Sequence, residues 1–224
     1  MSFASEAVLI AAKDLRIEAR SRVATAQILP FGGIVLLLFA FALDPRRNVL
    51  PTVAPGLFWI AVLLSSLLAV SRSFAIEADH GARDGLRLAG LDGGAIFLGK
   101  AAAVAVELLA LEVILLVGVV GLYDVEVHGL VVIVPAAILA TVGLAAAGTV
   151  YGVLAAGLRV RETLVPLLVL PAVAPVLLAA TRAFELALGE ELADAWRWTS
   201  LLGVFAVVSS MVGVVAFGPL LEES

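Results

Sequence analysis

The chain has 224 residues, of which 62% are hydrophobic and 15% charged, with a formal net charge of -5 and a mean hydropathy of +1.14. One soluble core cannot enclose that much apolar surface, so the composition predicts a single membrane domain over residues 1–224 and excludes an ordinary soluble enzyme. Cysteine is absent, which excludes disulfides, thiolate metal sites and thioether attachment of haem; no basic patch is interleaved with aromatic residues, which argues against nucleic-acid binding.

Residues 5–22 predict an amphipathic helix capped by Ser5. Val8, Ala11, Ala12, Leu15 and Ala19 recur at helical spacing, and Lys13, Arg16, Glu18 and Arg20 lie mostly off that stripe. Such a helix suits the membrane interface. The small residues Ala24 and Ala26 precede the next apolar run instead of following it, so no cleaved signal peptide is expected.

Six spans follow in the hydropathy pattern: Ala24 to Leu43, Val53 to Val70, Ala101 to Leu122, Leu130 to Leu158, Thr163 to Thr181 and Thr199 to Leu221. The predicted fold class is therefore an all-α membrane protein with six transmembrane helices. With the N-terminus inside, the inner segments hold ten lysines and arginines and the outer ones four, Arg46, Arg47, Arg182 and Arg197. Both termini are assigned to the cytoplasm. Trp196 and Trp198 then stand at the outer entrance of the last span, where interfacial aromatics belong.

The polar segment 71–94 interrupts this apolar chain with Arg72, Glu77, Asp79, His80, Arg83, Asp84 and Arg87. It reads either as a solvated loop or as a short amphipathic helix over 73–89 that offers a handle to a soluble partner, with Gly90, Gly93 and Gly94 available to end it.

Within the third predicted span, Glu107 and Glu112 are the costliest residues, since an ionised carboxylate at the bilayer centre costs roughly a few kcal/mol. Lys100 lies two turns before Glu107 on nearly the same face, and Glu112 is rotated from Glu107 by about 140°. These three are intramembrane polar candidates, either functional or pairing groups that hold helices together. Gly148, Gly152 and Ala156 form a small-residue stripe for helix packing, within the chain or between copies. Pro166, Pro171 and Pro175 predict a bent fifth span. No catalytic residues are identified: the chain lacks a P-loop, paired histidines at ligand spacing and a nucleophile elbow. His80 and His128 fall on opposite faces in this topology and cannot form one metal or haem site, so no metal ligands are assigned.

Ala54-Pro55-Gly56-Leu57-Phe58-Trp59-Ile60, running into Leu63-Leu64-Ser65-Ser66-Leu67-Leu68-Ala69 and followed by Arg72, Asp84-Gly85 and Lys100, resembles the CcmB family of membrane subunits in c-type cytochrome maturation. The sequence departs from that pattern at the approach to the third span, where Leu91-Asp92-Gly93-Gly94 replaces a proline-containing stretch. The resemblance implies a non-catalytic permease-like subunit of an ABC-type transporter in the cell inner membrane, paired as a homodimer. A separate cytoplasmic ATPase subunit, CcmA, would hydrolyse ATP, and CcmC, CcmD and the haem chaperone CcmE would be partners. Haem is then a handled ligand, either exported or released on its chaperone, and no cofactor is bound directly. ATPase coupling falls to Arg72, Glu77, Asp79, Arg83, Asp84 and Gly85. Other classes fit the residues too: a permease for a drug, lipid or glycan, an ion-coupled secondary transporter using Glu107 or Glu112, or a structural scaffold.

Overall fold

The computed structural model describes residues 2–21, 24–43, 49–79, 90–156 and 161–223. Among them are seven α-helices and one π-helical segment: α1 (Phe3–Ser21), the π segment (Ala24–Ile28), α2 (Leu29–Ala42), α3 (Leu50–Asp79), α4 (Gly93–Tyr123), α5 (Leu130–Ala156), α6 (Arg161–Leu188) and α7 (Leu192–Glu223). The fold is all-α.

Five of these helices contain stretches long and apolar enough to cross a membrane: Leu50–Arg72, Gly93–Tyr123, Leu130–Leu154, Leu167–Leu188 and Leu192–Leu220. The apolar helix Ala26–Ala42 is shorter. It occupies the first predicted span, and Pro30, near the start of α2, accounts for its irregular beginning. Proline has no N–H to give to the preceding turn and its ring crowds the carbonyl four residues back. The wider π winding immediately before it, Ala24–Ile28, is the kind of local adjustment that accommodates such a break.

Several predicted ends move. Ser2, not Ser5, caps α1: its Oγ accepts the Ser5 backbone N–H at 3.3 Å, while Ser5 Oγ donates back to the Ser2 carbonyl at 2.7 Å. α4 begins eight residues before the predicted Ala101. The Asp92 carboxylate is the reason, since it accepts from the N–H groups of Gly94 at 2.8 Å and Ala95 at 3.1 Å and so closes the helix start. Gly93 and Gly94, expected to end the preceding segment, instead open α4. Gly93 is needed for contact: a Cβ there would lie 2.5 Å from the Gly218 Cα of α7. At its other end α4 stops at Asp124, which takes a left-handed conformation with φ 55°. α6 runs on past Thr181 to Leu188, and α7 starts at Leu192 rather than Thr199. In each extension an i,i+3 pair keeps charged residues on helical backbone, Arg182 to Glu185 and Arg197 to Asp194, both at 2.7 Å. α6 is helical through Pro166, Pro171 and Pro175.

The chain folds back and forth. At one end of the bundle the close of α3 meets the close of α5, where Val70 Cγ2 would be 2.8 Å from a Cβ on Gly148, and the start of α4 meets the close of α7 through Gly93 and Gly218. At the other end Phe58 and Trp59 of α3 pack on Phe184 of α6, with ring centroids 5.6 and 5.2 Å apart. There too Tyr123 of α4 donates its hydroxyl hydrogen to the Leu36 carbonyl of α2 at 2.8 Å. The core between these ends is rich in alanine, including Ala61, Ala136, Ala140, Ala145 and Ala180, which lets helix backbones approach closely. The outward side of α7 leaves Val204, Val207, Val208, Met211, Val212 and Val215 exposed, a surface suited to lipid rather than water.

Candidate functional site: a polar seam along α1 and α4

α1 lies against the first half of α4 and runs in the same direction. Glu6 Oε2 accepts the Asp92 N–H at 3.2 Å. About two turns further along α4, Gly99 admits the helix: a Cβ there would stand 2.6 Å from the Ala7 carbonyl oxygen and 2.7 Å from Ile10 Cβ. Next, Lys100 Nζ lies 3.4 Å from Asp14 Oδ2, and Lys13 Nζ lies 3.0 Å from the same residue's Oδ1. Lys100 is only 2% exposed, so its charge is held inside by a carboxylate from another helix. An unpaired ammonium there would carry a desolvation penalty of several kcal/mol.

The side of α1 docked on α4 does not include Val8 of the expected apolar stripe. Val8 is 67% exposed and Ile10 3%; the docked line runs through Ala7, Ile10 and Asp14. Asp14 is not among the residues singled out by periodicity; its i,i+4 relation to Ile10 and its charge opposite to Lys100 are the signals in the sequence that could have found it.

Lys100, Glu107 and Glu112 do not form one continuous polar stripe. Lys100 goes to Asp14. Glu107 lines a cleft together with Glu18, and its Oε1 is buried without a hydrogen-bond partner among the described residues. Glu112 turns the other way, where its Oε1 accepts a hydrogen bond from the Thr141 hydroxyl of α5. Counting back from Tyr123 at about 1.5 Å per residue puts Glu112 roughly 16 Å, Glu107 roughly 24 Å and Lys100 roughly 34 Å along the helix. With Tyr123 set at one face of a hydrocarbon core of about 30 Å, Glu112 falls near the centre, Glu107 near the other boundary and Lys100 beyond it.

Arg72 makes a polar contact of its own from α3. It donates to the Gln27 side chain and thereby ties the last third of α3 to the π segment that leads into α2. α3 itself continues seven residues past Arg72, through Glu77 to Asp79. The helical stretch expected over 73–89 therefore begins as an extension of α3. Arg83, Asp84 and Gly85, together with His80, lie outside the described residues, as do the side chains of Glu77 and Asp79.

The packing stripe on α5 has Gly148 against Val70 and Gly152 buried; the Ala156 side chain lies outside the described set. His128 is exposed at the opposite end of the bundle, 3.3 Å from Glu126 and 3.9 Å from Glu190. Among the described residues no group of three or more His, Asp or Glu side chains is placed to hold a metal ion.

Taken together, the seam joins α1 to α4 and α2 to α3, with the capped start of α4 and the extended end of α3 flanking segment 80–89 in the sequence.

Comparison with known proteins follows the same length of chain. Residues 5–224 match the family described as CcmB protein. The sequence is 32% identical over 175 residues to heme exporter protein B of Paracoccus denitrificans, covering 74% of this chain and 76% of that protein. It is 32% identical over 176 residues to heme exporter protein B of Haemophilus influenzae, covering 78% and 79%. Its similarity to heme exporter protein B of Escherichia coli strain K12 is 38% identity over 90 residues, which spans 41% of that relative's length.

Proposed function

The chain belongs to the CcmB family, and from that premise we propose that it is the membrane subunit of an ABC-type complex in c-type cytochrome maturation. In this reading it hydrolyses nothing itself. A CcmA-like ATPase docks at segment 71–94, and the chain passes the resulting movement to partners resembling CcmC, CcmD and the haem chaperone CcmE. The output is haem export or release of haem-loaded chaperone. The observation that carries the proposal is the family match over residues 5–224.

The seam supports a route for that movement. A displacement of segment 80–89 acts on α3, which pulls on α2 through Arg72 and Gln27. It also acts on α4, which holds α1 through Asp92 with Glu6 and through Lys100 with Asp14. Two sides of the bundle move from one point of attachment.

The topology proposed with this function has six crossings, both termini in the cytoplasm, a homodimeric assembly and an inner-membrane location. The π segment and α2 supply the sixth crossing. Together they make 19 residues of continuous helical backbone, Ala24 to Ala42, up to roughly 28 Å at the α-helical rise. They start beside Arg72 and pass Tyr123, in step with the neighbouring spans. α1 lies at the cytoplasmic boundary, with Val8 and Leu9 exposed on its outer side along with the cations Arg16 and Arg20, a composition suited to an anionic membrane surface.

Copurification tests the assignment: the chain carries an ATPase subunit with it from membranes, and identification of the remaining subunits yields cytochrome-maturation proteins. Isolation with an ATPase of a drug or glycan transporter overturns the assignment. Single cysteines at Asp84 and Asp124 test the topology, with an impermeant reagent expected to label the first from the cytoplasm and the second from outside. Labelling of both from one face rejects six crossings.

A further inference from the structure

α1, the π segment and α4 enclose a cleft of about 260 Å³ whose walls include Leu15, Ile28, Leu29 and Leu111. Two carboxylates, Glu18 and Glu107, stand among these apolar side chains. The Glu107 Oε1 is buried and has no hydrogen-bond partner among the described residues. Two carboxylates along this seam are supplied with donors, Glu6 by the Asp92 N–H and Asp14 by two lysines; Glu112, on the side of α5, has the Thr141 hydroxyl on Oε1 while its Oε2 is likewise buried without a partner among the described residues, but it does not line the cleft. A buried acceptor left unsatisfied costs free energy, so the Glu107 oxygen marks a position for a donor that comes from outside the chain.

The level of the cleft narrows what that donor is. Arg72 bonds to Gln27, the residue before Ile28, and Arg20 is exposed on the last turn of α1. A cation tied beside the cleft residue Ile28 and another two residues after the cleft residue Glu18 suit the head-group zone of a membrane. Val106 and Ile114, each 50% exposed, line the cleft as well, so it opens sideways toward acyl chains. Its volume falls just below the range of about 300–1,000 Å³ for pockets that enclose a whole drug-sized ligand, which fits part of a lipid.

We propose that this cleft is a lipid site that takes one acyl chain between α1 and α4 and places a primary-ammonium head group, as in phosphatidylethanolamine, on the Glu107 carboxylate with Glu18 beside it. The ammonium carries N–H donors for the orphan oxygen and a charge opposite to both carboxylates. Phosphatidylcholine presents a trimethylated nitrogen with no donor, and phosphatidylglycerol brings net negative charge toward two carboxylates. Both bind more weakly at this site.

The test uses the full chain in nanodiscs of equal parts phosphatidylethanolamine, phosphatidylcholine and phosphatidylglycerol, with retained lipids identified by native mass spectrometry. Phosphatidylethanolamine is expected to be enriched about tenfold over phosphatidylcholine, the effect of one charge-assisted hydrogen bond. Glu107→Gln keeps the shape, removes the charge and abolishes the enrichment, with helical content unchanged. Ala110→Leu, which adds bulk to the cleft lining, lowers retention of the enriched lipid without altering Glu107. Equal retention of phosphatidylethanolamine and phosphatidylcholine by the unmodified chain overturns the proposal, and so does enrichment that survives Glu107→Gln.

Discussion

The two ends of the bundle are held by different chemistry. At one end aromatic rings close the structure: Phe58, Trp59 and Phe184 are mutually packed and nearly inaccessible, and Tyr123 is anchored on α2. At the other end apolar packing, with Phe97 on Phe217 at 5.8 Å between ring centroids and Val70 against Gly148, is joined by polar contacts: the Lys100 and Asp14 pair, the Asp92 cap with its link to Glu6, and Arg72 with Gln27. Ring packing is short-ranged and spread over many atoms, so it resists any displacement. Ion pairs and single hydrogen bonds can be exchanged for others at modest net cost. The difference separates an end closed mainly by rings from one where exchangeable polar contacts are added to apolar packing, and segment 80–89 lies in the sequence between the two helices, α3 and α4, that carry several of them.

The sharpest break in this comparison comes from the aromatic end. Phe184→Ala removes a ring that touches both Phe58 and Trp59 and is expected to lower unfolding stability by about 3–5 kcal/mol, measured by reversible denaturation in detergent micelles. Lys100→Met comes next: it strands the Asp14 carboxylate, but Lys13 remains beside it, so about 3 kcal/mol, the lower end of the range for a broken buried pair, is expected. The double variant with Asp14→Leu recovers most of that loss, because the pair is replaced by apolar groups. If Lys100→Met cost nothing, the polar seam would not hold α1.

Smaller effects sharpen the boundary between the ends. Thr141→Val removes the hydroxyl from Glu112, near the centre of α4, and is expected to cost about 1–2 kcal/mol in the same denaturation measurement, the value for an orphaned buried acceptor. Asp92→Ala removes the cap of α4 and costs about 1 kcal/mol, with amide exchange faster at Gly94 and Ala95 and unchanged near Tyr123. Faster exchange at both termini of α4 would mean the ends are coupled, contrary to the comparison.

Much of this arrangement is legible in the sequence, because long apolar runs have few alternatives to membrane helices. The second-span motif around Phe58 and Trp59 likewise carries the family on residues that turn out to be core. What stayed hidden depends on contacts between distant segments. Asp14 is an ordinary charge on an amphipathic helix until Lys100 is seen opposite it, 86 residues away. Gly93 and Gly94 look like terminators of one helix until Asp92 is found capping the next. Glu107 and Glu112 look like one class of residue by depth, yet helical rotation sends one to α1 and the other to α5. Periodicity reports which face a residue is on, and not which neighbour waits there.

The central claim is that the polar end receives the ATPase cycle, and it is tested most directly by replacing Glu77, Asp79 and Asp84 together with Gln, Asn and Asn and measuring c-type cytochrome production in cells that depend on this chain. Production is expected to fall while the chain still inserts in the membrane at its normal level, with the ATPase subunit bound less tightly or hydrolysing ATP without output. Full cytochrome production with unchanged ATPase affinity would contradict the claim and leave segment 71–94 as a solvated connection between α3 and α4.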